Sequence, residues 1–276
     1  MNTARAAKGK AVANVVLLRG PGSVLQEAPF GERHAPHVAA CVAPTRIIAG
    51  LALSLGITLI EVPGTTGDYR TDLAAKARAA ADSLAPASPH TFCLCHVKAV
   101  DDAGHDRNVG YRVAYTEAVD VMVGHLLKRL AAHQKEQHGG DSAMRYVLCV
   151  TGDHSTPVLF GDHSTEPVPV ALAHVDDAVA AAGGASALAA LSLGPIATPE
   201  FGSATPPAED IGAAAEVASG PSQQQVDPPL EPVAGDAVYR FDELSAARGG
   251  LGRFPGSELM ALLNGFAQTM PAQHHS

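Results

Sequence analysis

The sequence contains no tryptophan, and aromatic residues fill only 4% of its 276 positions. Any core must therefore be built from aliphatic and alanine side chains. Long apolar runs are missing too: none reaches the roughly 18 residues of a membrane-spanning helix, so no membrane association is expected. Met1 to Lys10 is basic but no apolar stretch follows it, so a secretory leader is not expected and a cytoplasmic location is. Cysteine is scarce. Cys41, Cys93, Cys95 and Cys149 each sit inside an apolar run, the setting of reduced, buried thiols rather than disulfides. Cys93 and Cys95 fall on one face of a strand and are read as core thiols, not metal ligands.

The most uneven absence is that of positive charge. Between Tyr146 and Tyr239 there is no Lys or Arg against twelve Asp or Glu, while the rest of the chain holds 19 basic and 16 acidic residues and is +3. Such a block repels nucleic acid and phosphate alike unless a cation intervenes. No nucleic-acid partner is expected, and a divalent metal is one cation that would reconcile the block with a phosphate ligand.

What is present is an alternation of short apolar runs and helical patterns. Ala13 to Leu18, Ile57 to Val62, Thr91 to Val97, Arg145 to Thr151 and Val168 to Ala173 read as buried strands. Val38 to Leu55, Thr71 to Leu84 and Val109 to His133 read as helices, and a last amphipathic helix starts near Ser257. This order predicts an α/β fold, a three-layer sandwich with a mostly parallel sheet. Residues 1–276 are expected to form a single domain, interrupted at about 183–236 by an Ala, Gly, Pro, Ser and Gln rich stretch that reads as a flexible insertion.

Functional groups in such sheets gather where strands end, and three strand ends here carry metal-type donors. They are Asp101-Asp102-Ala103-Gly104-His105, then Gly152-Asp153-His154-Ser155-Thr156, then the same five residues repeated as Gly161-Asp162-His163-Ser164-Thr165. Mixed carboxylate and imidazole sets suit Zn, Mn or Fe. Asp153 and His154 are adjacent, so on an extended segment their side chains diverge towards two centres. Two ions about 3.5–4 Å apart are a usual clamp for phosphoryl transfer. Each element alone also fits ordinary turn capping by Asp and His; their occurrence at three successive strand ends favours metal. Arg19, beside Gly20-Pro21-Gly22-Ser23, fits either an oxyanion-binding guanidinium or a solvated turn residue.

These blocks resemble the alkaline phosphatase superfamily, most closely the cofactor-independent phosphoglycerate mutases of archaeal type. ANVVLLRGPG at 13–22, IEVPGTTGDYRTD at 60–72, HVKAVDDAGHD at 96–106, VTGDHSTP at 150–157, HSTEPVPV at 163–170 and FDELSAARGGLGR at 241–253 follow the family's order. The resemblance implies that Asp101, His105 and His163 hold one Mn or Mg ion, with Zn as an alternative, and that Asp153 and His154 contribute to a second. It implies that Arg19 binds the substrate's phosphate or carboxylate. The implied reaction interconverts 3- and 2-phosphoglycerate in glycolysis through a phosphoserine, with no bisphosphoglycerate. A metal-dependent phosphatase, a phosphopentomutase or an inactive metal-binding fragment are the alternatives.

The match also has gaps. The family's opening strand, with its metal-binding Asp, and the later nucleophilic Ser have no counterpart, so the resemblance is to the C-terminal part alone. Ser155 and Ser164 flank ligands and do not replace the nucleophile, and Ala49 stands near a position where archaeal sequences tend to have Lys. The chain alone is therefore expected to be inactive and to need an N-terminal complementing segment.

Overall fold

The computed structural model describes residues 1–16, 22, 27–136, 144–193, 238 and 240–269. After two short helices, α1 (Asn2–Ala6) and α2 (Phe30–Arg33), the chain alternates β1 (Ala39–Val42), α3 (Arg46–Ser54), β2 (Thr58–Leu59), α4 (Leu73–Asp82) and β3 (Phe92–Cys95). β1 lies between β2 and β3, parallel to both, in register Cys41 with Leu59 and Leu94. Each strand side chain points to the face opposite its neighbour's. Ala39 and Cys41 thus join Ala52, Ile57 and Phe92 in one core beneath α3, while Cys95, on the opposite face, packs with Leu73 and Ala77 of α4. This makes three layers, helix on sheet on helix, as the α/β reading requires.

Next come α5 (Ala99–His105) and α6 (Val109–Glu136), the second 28 residues long, or about 42 Å. α6 joins two cores. Ala118 and Met122 complete the α4 core, and Leu130 packs with Ala81, Tyr146 and Val175 in another. β4 (Val147–Thr151) and β5 (Val170–His174) form a separate two-stranded sheet, followed by α7 (Val175–Ala181), α8 (Ala185–Ala190), α9 (Glu243–Ala246) and α10 (Leu259–Ala267). Among the described residues no helix is long and apolar enough to cross a membrane.

Three local expectations are corrected. Val38 to Leu55 is not one helix. Its first residues, Ala39 to Val42, are all buried as the central strand, and Pro44 enforces the break, because a proline disfavours helical backbone in the residue before it. Alanine and valine repeat in a way that suits a helix or a thin buried strand equally. Second, the strands do not all join one sheet: β4 and β5 stand apart as an antiparallel pair, and among the described residues the parallel sheet consists of β2, β1 and β3. Third, Ala13 to Val16 form no strand; Val15 and Val16 are 71% and 83% exposed, since an apolar run becomes a strand only where a sheet edge accepts its backbone. The stretch expected as an insertion begins with α8, whose Leu188 is buried; its residues 194–236 lie outside the described residues.

All four cysteines are free thiols; Cys41 is buried as expected, whereas Cys93, Cys95 and Cys149 are only partly covered. Burial, with Cys93 nearby, pushes the Cys41 thiol up from 9.0 to about 11, and burial pushes Cys95 up to about 12. The thiolate is the reactive form, so at pH 8 alkylation by iodoacetamide is expected to be about 100-fold slower at Cys41 and about 1,000-fold slower at Cys95 in the native chain than in urea, read by peptide mass mapping. Comparable rates in both states would contradict their burial. The sign for stability follows: both thiols stabilise the fold below pH 9, and that contribution is lost as pH rises towards 11 and 12.

Candidate metal centre

Three residues separate β3 from α5, whose helical spacing places Asp101 and His105 one turn apart on one face. The two Gly-Asp-His-Ser-Thr repeats come to the same place because they pair with each other. Ser155 and Ser164 form an isolated antiparallel bridge, with the Ser164 N–H donating to the Ser155 carbonyl over 3.1 Å. His154 and His163 each precede a bridging serine, and their rings lie 3.7 Å apart between centroids. In both repeats the Asp side chain accepts from the next backbone N–H, Asp153 from His154 at 3.1 Å and Asp162 from His163 at 2.7 Å. The sequence repeat is thus a structural repeat.

Around this pairing the donors converge. His105 Nε2 lies 3.1 Å from His163 Nε2 and 3.4 Å from Asp101 Oδ1, which is 3.7 Å from His163 Nε2. Ligating atoms of Asp101, His154 and His163 lie within 4.8 Å of one another, and so do those of His105, Asp162 and His163. Asp153 stands at the edge, exposed, with Oδ2 3.4 Å from His154 Nε2. Carboxylate oxygens and imidazole nitrogens gathered this closely fit a divalent cation of borderline character. Of the residues expected as ligands, Asp101, His105, His154 and His163 come together, with His163 common to both groups. Arg19 lies outside the described residues.

Some residues that shape the centre were not foreseen as doing so. Thr156, buried, donates from Oγ1 to Asp101 Oδ1 at 2.7 Å and lies 3.2 Å from His154 Nδ1, so it links two of the candidate ligands. Lys98 donates to Asp101 Oδ2 at 3.0 Å and also contacts Asp102. Burial raises the Asp101 carboxyl, but the Thr156 hydroxyl and Lys98 ammonium outweigh it and hold Asp101 below the ordinary value. Arg112 of α6 donates to the carbonyls of Val100 and Thr156, at 3.2 and 2.8 Å, tying α5 to the segment after β4. Asp162 belongs to the repeat but not to the ligand set expected from sequence. Lys98 precedes Asp101 and Asp102 by three and four residues, a legible helical signal; Thr156 and Arg112 act across the fold and leave none.

His96 sits behind the centre. Its carbonyl accepts from the buried Lys76 Nζ at 2.9 Å. Its Nδ1 is buried with no hydrogen-bond partner among the described residues, and burial lowers its pKa. Replacing Thr156 with Val keeps the shape and removes the hydroxyl. Thr156→Val is expected to weaken Mn²⁺ binding about 10-fold, the size of effect seen when a ligand loses its supporting hydrogen bond. Calorimetric titration checks this, and unchanged affinity would show that Thr156 only fills space.

A layered α/β fold with a carboxylate and imidazole cluster following its strand ends defines a class of proteins built around a divalent-cation centre. The chain belongs to the metalloenzyme superfamily, whose sequence profile matches residues 7–197. It is 31% identical over 268 residues to the 2,3-bisphosphoglycerate-independent phosphoglycerate mutase of Methanopyrus kandleri, covering 97% of this chain and 47% of that protein. It is 36% identical over 194 residues to phosphoglycerate mutase 1 of the same kind from Methanothermobacter thermautotrophicus, covering 67% of this chain and 43% of the relative. The PH0037 protein of Pyrococcus horikoshii has a similar structure, with a TM-score of 0.63 and 25% identity over 98% of this chain and 54% of that one. The chain spans about half the length of the curated relatives it matches.

Proposed function

We propose that this chain carries the metal centre of a bisphosphoglycerate-independent phosphoglycerate mutase, interconverting 3- and 2-phosphoglycerate in the glycolytic sequence of the cytoplasm. The convergence of Asp101, His105, His154 and His163 carries the reading, joined to relatives named for that activity. Asp101, His105, Asp153, His154 and His163 are proposed as protein ligands of two divalent ions, Mn or Mg, with Arg19 on the substrate's phosphate or carboxylate. The cations would neutralise phosphoryl oxygens and polarise the reacting phosphorus. The chain's own side chains orient them: Thr156 and Lys98 fix the two oxygens of Asp101, and the paired repeats set the two histidine rings.

The phosphoryl group moves to a serine and back, and we propose that this serine lies in an N-terminal segment like that of the relatives. Ser155 is engaged elsewhere, its Oγ donating to the Glu166 carbonyl at 3.3 Å. The test measures conversion of 3-phosphoglycerate to 2-phosphoglycerate with added Mn²⁺, for the chain alone and for the chain with the N-terminal half of the Methanopyrus relative. Activity only in the combination, lost in Asp101→Ala, is the expected result. Turnover by the chain alone would overturn the assignment of the nucleophile. Phosphate release without isomerisation would point to a phosphatase of the same superfamily.

A further inference from the structure

Three cationic side chains stand beside the candidate ligand cluster among the described residues, and two are committed. Lys98 is bound to Asp101 and Asp102, and Arg112, partly buried, is bound to two backbone carbonyls. The third, Arg107, is exposed, and its side chain makes one hydrogen bond, Nη2 to the Phe160 carbonyl at 3.1 Å. No carboxylate among the described residues pairs with it, although Asp106 precedes it directly in the chain.

Its backbone is unusual. Arg107 has φ +54°, and among the described residues no other position except glycine has positive φ. It follows the last turn of α5, with its N–H donating to the Gly104 carbonyl at 3.1 Å. Glycine is the ordinary occupant of such a turn, so an arginine there bears a conformational cost that a solvated surface residue would not justify. A cation can help a helix C-terminus by facing its carbonyls. This one instead crosses to the opposite loop. Its Nε lies over Gly161, itself at φ +71°, where a Cβ would stand 2.5 Å away. The Gly161 carbonyl in turn lies 3.2 Å from His105 Nδ1, and Asp162 and His163 follow directly. Two left-handed residues, one on each side, therefore let the Arg107 side chain pass close to Gly161 at the rim of the cluster with most of its five N–H donors unspent.

We propose that Arg107 is an oxyanion-binding residue, taking phosphoryl oxygens of a phosphomonoester brought to the neighbouring cations; this rests on reading the cluster as a phosphoryl-transfer centre. A planar donor fork suits such oxygens in bidentate fashion. Arg107 is distinct from Arg19 and lies on a different segment of the chain.

The test titrates the chain of residues 1–276 with inorganic phosphate, with and without Mn²⁺, and with acetate as a control. Arg107→Gln is expected to weaken phosphate binding about 10- to 100-fold, the value of a lost charge-assisted bond, with Mn²⁺ affinity within twofold of the parent and acetate unaffected. Arg107→Gly separates binding from folding, because it relieves the left-handed backbone: it is expected to raise Tm while losing the same phosphate affinity. Arg107→Lys is expected to recover part of the binding. Phosphate affinity within twofold of the parent in both Arg107→Gln and Arg107→Gly overturns the proposal, as does a parent chain that binds no phosphate. So does a loss confined to acetate. Absence of Mn²⁺ binding with phosphate binding still dependent on Arg107 supports the inference and sinks the metal reading alone.

Discussion

Replacing His163 with Ala is expected to remove divalent-cation binding by at least about 100-fold and to abolish turnover of the complemented enzyme. The magnitude exceeds the 10- to 100-fold cost of losing a ligand's supporting contact, because His163 is itself a donor and is shared. It belongs to the group with Asp101 and His154 and to the group with His105 and Asp162. His154→Ala and His105→Ala each disturb one group only. The ordering of the three variants in a Mn²⁺ titration is therefore the informative result, with His163→Ala the weakest binder. If His163→Ala holds Mn²⁺ within tenfold of the parent while His154→Ala does not, the cation centre does not use the pairing of the two repeats.

The second large effect is expected at Gly104, in the middle of the Asp-Asp-Ala-Gly-His block. A Cβ there would collide with the Thr156 carbonyl oxygen and stand 2.7 Å from Arg112 Nη1 and 2.8 Å from Thr156 Cγ2. The first obstacle is backbone that cannot turn away as a flexible side chain could. Relief requires α5 to move off the segment after β4, which breaks the Thr156 bond to Asp101 and the Arg112 bonds to both segments. Gly104→Ala is expected to cost about 3 kcal/mol, the upper part of the usual range for overpacking, or about 6–12 °C in Tm for a chain of this size. Weaker Mn²⁺ binding should accompany it. A calorimetric melt and a metal titration check both, and a variant with parental Tm would mean that α5 and the Thr156 segment are not in close contact.

The candidate ligands were legible before any fold was known, and the reason is chemical. Asp and His at three successive strand ends are recognisable whatever the exact backbone, and a helix of any origin sets Asp101 beside His105. The repeat of Gly-Asp-His-Ser-Thr was legible as well, but not its meaning. Only the bridge between Ser155 and Ser164 turns two similar turns into one pair of histidines. Thr156 and Arg112 carry no local signature because their contacts span 55 and 44 positions of the chain.

The sequence alone determined the layered α/β class, since alternating apolar runs and helical periods force helices onto a sheet. It also determined the absence of an apolar span, the burial of Cys41 and the choice of Asp101, His105, His154 and His163 as candidate donors. Tertiary structure decided which apolar runs became strands. Ala39 to Val42 did, at the centre of the parallel sheet, whereas Ala13 to Val16, also mostly apolar, did not. It also decided the antiparallel pairing of β4 with β5, the sharing of His163, and the left-handed turn that turns Arg107 towards Gly161. Each of these depends on which partner a segment meets, and a partner distant along the chain leaves no trace in local periodicity.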